Sequence, residues 1–181
     1  LREEFVAEDD LGAIYRVWIE TLPGLETYGL LFVPVASGSY PLIISQHGGG
    51  GTPELCSNLF RPANYNDMSR RVLKHGCAVF APQLPLWGEE YGPKVDRPLL
   101  DQKLKHLGSS AVGLDAYQLQ GCLDALLEHL DVDEERVGMI GLSWGGFYTL
   151  VNAALDTRIH AAVASAFLND DRTAAQITPQ V

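Results

Sequence analysis

Arg136-Val137-Gly138-Met139-Ile140-Gly141-Leu142-Ser143-Trp144-Gly145-Gly146-Phe147 is the stretch on which the reading of this chain turns. Val137 to Ile140 is a short apolar run of the kind that forms a buried strand. Gly141 to Gly145 fits G-x-S-x-G, and Tyr148 to Leu155 continues with helix-compatible residues. The expected local structure is strand, sharp turn and helix, with Ser143 at the apex. A serine hydroxyl is a weak nucleophile and must protrude where a base can reach it, so a bent and strained backbone at Ser143 suits the chemistry. Gly141 and Gly145 would let strand and helix pass closely without Cβ clashes. A helix starting at Trp144 would aim its free N–H groups and positive dipole end at developing negative charge. A glycine-rich turn whose serine merely caps the helix would share the same five residues. The flanking strand and helix, and a second glycine cluster upstream, weigh against that alternative.

The second cluster is His47-Gly48-Gly49-Gly50-Gly51, which follows the apolar strand candidate Pro41 to Ser45. Four consecutive glycines are costly in entropy, so something should require the exposed backbone. A phosphate-cradling loop is the competing reading, but no Lys-Ser or Lys-Thr follows.

With both clusters and the run Leu155-Asp156-Thr157-Arg158-Ile159-His160-Ala161-Ala162-Val163, the chain resembles the α/β-hydrolase superfamily. The likeness is to its dienelactone-hydrolase-like and acetyl-xylan-esterase-like branches, and it runs from about Gly29 to Leu168. It implies the α/β-hydrolase fold: a mostly parallel sheet with helices on both faces, entered through an N-terminal antiparallel hairpin. Residues 1–181 would form a single domain, the N-terminal two-thirds of that fold. The resemblance also implies that Ser143 is the nucleophile. Backbone N–H groups of Gly48 or Gly49, together with that of Trp144, would bind the oxyanion. His47 is expected to brace the glycine loop rather than to act as base.

The superfamily order is serine, then acid, then histidine. No histidine follows His160, and His160 opens a strand where it should point away from the site. His75, His106 and His129 fall in the wrong order. Asp170 and Asp171 lie just past a strand that supplies the acid in a few relatives, and are weak candidates for it. The acid and the histidine are therefore expected after Val181, with the chain an incomplete record of a longer hydrolase. The activity implied is hydrolysis of small or carbohydrate-linked carboxylic esters through an acyl-enzyme, without metal or organic cofactor. Ser at the elbow, rather than the Cys of true dienelactone hydrolases, shifts the expectation from lactone toward ester. A non-catalytic α/β-hydrolase-like binding protein is the alternative from another class. A peptidase or thioesterase relative is another.

Composition excludes some partners. The 13 basic residues against 23 acidic ones give a net charge of −10, and no basic patch of useful length argues for nucleic acid or an anionic membrane. No apolar run approaches the ~20 residues of a membrane span. Cys56, Cys77 and Cys122 are odd in number and widely spaced, which favours free thiols and a reducing, cytoplasmic setting. Leu1 in place of Met leaves open a trimmed start or a removed signal peptide.

The remaining elements follow from pattern. Glu3 to Ala7, Ala13 to Glu20 and Thr27 to Val33 are strand candidates, with Leu22-Pro23-Gly24 as a break. Tyr65, Met68, Val72 and Leu73 recur at helical spacing, with Asn64 or Asn66 as N-cap and Gly76 past the end. Cys77 to Ala81 is a buried strand, and Pro82 to Leu107 has no regular pattern, a long loop that could wall the substrate pocket. Val112 to Leu130 steps by three and four as an amphipathic helix. Asp131 to Glu135 reads as an acidic turn, and Ile159 to Phe167 as the next parallel strand.

Overall fold

The computed structural model describes residues 1–35, 38–59, 65–84 and 96–167. In chain order the elements are β1 (Arg2–Asp9), β2 (Gly12–Leu22), β3 (Leu25–Pro34), β4 (Tyr40–Gln46), α1 (Pro53–Cys56) and α2 (Met68–Leu73). There follow β5 (Ala78–Pro82), α3 (Arg97–His106), α4 (Ala111–His129), β6 (Val132–Leu142), α5 (Trp144–Leu155) and β7 (Ile159–Ser165). The strands make one sheet in the order β1-β2-β3-β5-β4-β6-β7. β5, β4, β6 and β7 run parallel, as apolar runs separated by helices should, although in β7 only Ile159 is buried.

The antiparallel portion is larger than a hairpin. β1, β2 and β3 form an antiparallel meander, and β3 joins the parallel strands through an antiparallel pairing with β5. The exposed, acidic β1 extends the sheet at that edge, which a reading for apolar strands underestimates.

Helices cover both faces. On one, Leu119, Leu123 and Leu126 of α4 and Tyr148 of α5 pack with Val17, Ile19, Leu42, Ile44 and Val137. On the other, Leu73 of α2 packs with Ile14, Leu30, Phe32 and Val79. The leucine stripe expected between Val112 and Leu130 is thus core, burying roughly 1.5–3 kcal/mol per large side chain.

Three local expectations need correction. The stretch Pro82 to Leu107 contains α3, which is capped by the Asp96 side chain accepting from Leu99 N–H at 3.0 Å. α3 buries none of its side chains, so it carries no apolar stripe from which to read it. The α2 helix starts later than the spacing suggests, because Asn66 and Asp67 adopt φ of 51° and 57°. Asn64 lies outside the described residues. Finally, the acidic segment Asp131 to Glu135 is mostly strand: β6 begins at Val132, pairs with Tyr40, and shifts register before Leu42 meets Val137.

Candidate active site

β4 and β6 are parallel neighbours, with Gln46 opposite Gly141 at their carboxyl ends. The glycine loop leaves one strand and Ser143 follows the other, so sheet register alone brings the two motifs together. Crevices beyond the carboxyl ends of parallel strands are where such sheets bind ligands.

Ser143 stands between the last residue of β6 and the first of α5 with φ 57° and ψ −120°. Such a conformation costs of order 1–3 kcal/mol for a residue with a Cβ and persists only when neighbours over-determine it. They do so here. The Ser143 N–H donates to the Ser165 carbonyl of β7 at 2.8 Å, and its carbonyl accepts from Phe147 N–H at 3.1 Å. A Cβ on Gly141 would meet the Gly145 carbonyl oxygen at 2.1 Å. One on Gly145 would meet the Gln46 carbonyl oxygen at 2.3 Å. Both obstacles are backbone, so the two glycines permit the strand and helix to close on one another around the serine. Trp144 opens the twelve-residue α5, whose amino end faces this junction.

The glycine loop is held by its neighbours. The Gly51 N–H donates to the Gly48 carbonyl at 3.1 Å, with Gly50 at φ 67° in between, a turn that calls for glycine. His47 is fully buried; its Nδ1 lies 2.8 Å from the same Gly48 carbonyl. Its Nε2 receives the Leu84 N–H at 3.3 Å and has Gln83 Nε2 at 3.2 Å. Burial pushes the imidazole down to about 4, so it is neutral at physiological pH. His47 therefore ties the glycine loop to the end of β5. Gly48 N–H donates to the Tyr65 hydroxyl at 2.9 Å, whereas Gly49 is exposed beside the Trp144 ring.

The other histidines lie elsewhere. His75 and His129 end segments that return the chain to the starts of β5 and β6, and His160 is second in β7, within 3.9 Å of Glu135. All three sit at the amino edge of the sheet, opposite Ser143. His106 is exposed at the end of α3. Among the described residues no histidine or carboxylate is hydrogen-bonded to the Ser143 hydroxyl; Asp170 and Asp171 lie outside them. No group of three or more His, Cys, Asp or Glu among the described residues is placed to hold a metal. Cys56, Cys77 and Cys122 are free; burial raises all three thiols, that of Cys122 to about 12.

Two features beside the site were not legible beforehand. Tyr65, spaced like a core residue of a helix, instead sends its hydroxyl to the glycine loop. Arg97, Asp115 and Tyr148 meet in a cluster: Arg97 Nη2 donates to Asp115 Oδ2 at 3.1 Å and to the Tyr148 hydroxyl at 2.7 Å. The Tyr148 hydroxyl donates to the same Asp115 oxygen. An acidic residue on the apolar face of a predicted helix, Asp115 in α4, was the one sequence signal for it. A cleft of about 540 Å³ lined by Tyr117, Asp124, Glu128 and Arg158 lies at the far end of α5. It is separated from Ser143 by the length of that helix, about 18 Å.

The sequence profile of the family described as acetyl xylan esterase (AXE1) matches residues 4–180. A Synechocystis protein named by inference as a carboxymethylenebutenolidase is 30% identical over 154 residues, covering 78% of this chain and 55% of that protein. Among solved structures, acetyl xylan esterase 1 from Thermoanaerobacterium superposes with a TM-score of 0.73 at 18% identity, over 97% of this chain and 55% of that one. The acetyl xylan esterase from Paenibacillus sp. R4 gives a TM-score of 0.71 at 22% identity, over 97% and 56%. The structural likeness shows the fold. The chain spans about half the length of the curated relatives it matches.

Proposed function

This chain belongs to the acetyl xylan esterase family, and from that premise we propose that it is a serine hydrolase cleaving carboxylic esters of small or carbohydrate-linked substrates. The observation that carries the proposal is Ser143 at φ 57°, held on a strand-to-helix junction next to a loop of four glycines. A serine kept in that conformation has its hydroxyl displayed at the carboxyl end of the sheet, where a substrate carbonyl can approach.

In the proposed reaction Ser143 Oγ attacks the acyl carbon while a general base takes its proton, and the alcohol departs to leave an acyl-enzyme. Water then attacks the acyl carbon and releases the acid. The negative charge on the tetrahedral oxygen is stabilised by the N–H of Trp144, the amino end of α5 and a glycine-loop N–H. Gly48 already donates to Tyr65, which favours Gly49 over Gly48 as the loop donor. None of the histidines among the described residues is hydrogen-bonded to the Ser143 hydroxyl, so the base is not assigned to any of them. The free thiols favour a reducing, cytoplasmic setting.

Ser143→Ala should abolish turnover of p-nitrophenyl acetate in the active enzyme while leaving its circular dichroism and melting unchanged. A fluorophosphonate probe should label Ser143 covalently. More than a few per cent residual turnover in the alanine variant would remove Ser143 from the nucleophile role. Complete absence of labelling and turnover in the folded wild-type enzyme would favour a non-catalytic binding protein on this scaffold.

A further inference from the structure

Tyr65 lies well past the glycine loop in sequence, beyond α1, and returns to it in space. Its side chain is 8% exposed, and its hydroxyl accepts the Gly48 N–H at 2.9 Å. The Gly48 carbonyl, on the other side of that residue, accepts from Gly51 N–H and faces His47 Nδ1. Both polar groups of Gly48 are thus occupied, and Gly48 is fixed in one orientation. The phenol fills most of the space over Gly51, sharing it with His47: a Cβ there would lie 2.2 Å from Tyr65 Oη, 2.9 Å from His47 Cβ and 3.0 Å from Tyr65 Cζ. The same pocket borders the nucleophile. A Cβ on Gly48 would lie 3.2 Å from Ser143 Cβ and 3.5 Å from Tyr65 Oη.

We propose that Tyr65 is a positioning residue of the oxyanion loop: its hydroxyl seats between Gly48 and Gly51 and fixes the Gly48 backbone, so that the loop presents Gly49 to the tetrahedral oxygen. The proposal rests on the assignment of Ser143 as nucleophile. A loop of four glycines is among the softest backbones available. A softness of that kind is harmful where a donor must meet the oxyanion at a fixed distance, since preorganisation is the source of the stabilisation. One buried phenol that bonds the first glycine and abuts the fourth removes this freedom without placing a side chain over the substrate. The two residues preceding α2, Asn66 and Asp67, hold left-handed conformations (φ 51° and 57°), so the chain turns sharply just after Tyr65 instead of carrying it into the helix.

Tyr65→Phe should lower kcat on p-nitrophenyl acetate roughly tenfold to a hundredfold, with KM within about twofold, because small displacements of catalytic groups cost that much. Inhibition by phenylboronic acid, which forms a tetrahedral adduct on the serine, should weaken in step with kcat. Gly51→Ala pushes the phenol from the opposite side and should give the same pattern. In the Tyr65→Phe background, where Oη is gone, Gly51→Ala should cost markedly less. Unchanged kcat and boronate affinity in Tyr65→Phe would overturn the proposal, as would independent, multiplicative effects of the two substitutions. A wild-type enzyme that neither turns over nor labels would instead sink the Ser143 reading. The Tyr65–Gly48 bond is then still read by the Gly48 amide, whose hydrogen exchange should quicken in Tyr65→Phe. Unchanged exchange would overturn the proposal whatever the activity.

Discussion

The Leu84 N–H donates to His47 Nε2 across 3.3 Å, which makes that nitrogen an acceptor and puts the ring proton on Nδ1, 2.8 Å from the Gly48 carbonyl. The imidazole spans from the glycine loop to the segment after β5, and both of its nitrogens are committed to that task. A base for Ser143 would need one of them. The bracing role expected of His47 from its position before the four glycines agrees with these hydrogen bonds.

Stability should fall with acid because of this ring. Burial holds His47 down to about 4, below the ordinary value of 6.5, so between those values the unfolded chain binds a proton that the folded one does not. A depressed group of this kind contributes stability that is present above pH 6.5 and is lost as pH falls through about 4. The full contribution is on the order of 3 kcal/mol. Urea midpoints measured from pH 7 to pH 4.5 should decline in the wild type and decline less in His47→Gln. Parallel curves for the two proteins would contradict the assignment of the buried, neutral ring.

Covalent labelling separates bracing from base catalysis. His47→Gln should lower turnover by loosening the glycine loop, yet a fluorophosphonate should still label Ser143 at a measurable rate. A folded His47→Gln protein that could not be labelled at all would return His47 to candidacy as the base.

What the sequence made legible follows the physics of each element. β4, β5 and the Val137–Met139 part of β6 are buried apolar runs, and burial on both faces writes itself as continuous hydrophobicity, so these strands and the position of Ser143 could be read. The elbow was legible because its close approaches exclude a Cβ at two fixed positions, Gly141 and Gly145. α3 was not, since a helix that buries nothing leaves only its cap, Asp96, and the proline after it as signals. Val132 to Glu135 hid a strand because exposed acidic residues at a strand's entrance look like a turn. Tyr65 and the Arg97–Asp115–Tyr148 cluster were hidden for another reason. A side chain that reaches across the chain to a polar partner leaves no periodicity in sequence.

Gly145→Ala tests the elbow without touching Ser143. The added methyl would face the Gln46 and His47 carbonyl oxygens at 2.3 and 2.7 Å, and neither can move without disrupting the end of β4. The variant should lose a few kcal/mol of stability, in the range for overpacked cores, together with nearly all activity. Thermal unfolding provides the measurement. A Gly145→Ala protein melting within a degree or two of wild type would mean that helix and strand are less tightly opposed than described.

Asp115 is the last test, because it ties three helices to one buried charge. Its side chain is fully buried on α4, and the two groups that compensate it come from the start of α3 and from α5, five residues past Ser143. Burial raises the Asp115 carboxyl while Tyr148 and Arg97 draw it back, so the ion depends on both partners. Removing the hydroxyl alone, in Tyr148→Phe, leaves the arginine in place and should cost about 1–3 kcal/mol. Removing the guanidinium, in Arg97→Ala, leaves a buried carboxylate with only a neutral donor and should cost more, about 3–5 kcal/mol. Asp115→Asn should fall between, since an amide can still accept from Tyr148 and strands only a partly exposed arginine. Chemical denaturation of the three variants gives the order, and coupling in the Arg97→Ala/Tyr148→Phe double variant should be positive because both act on one oxygen. Additive losses, or an Arg97→Ala variant as stable as wild type, would mean that α3 is not anchored to α5 through this cluster.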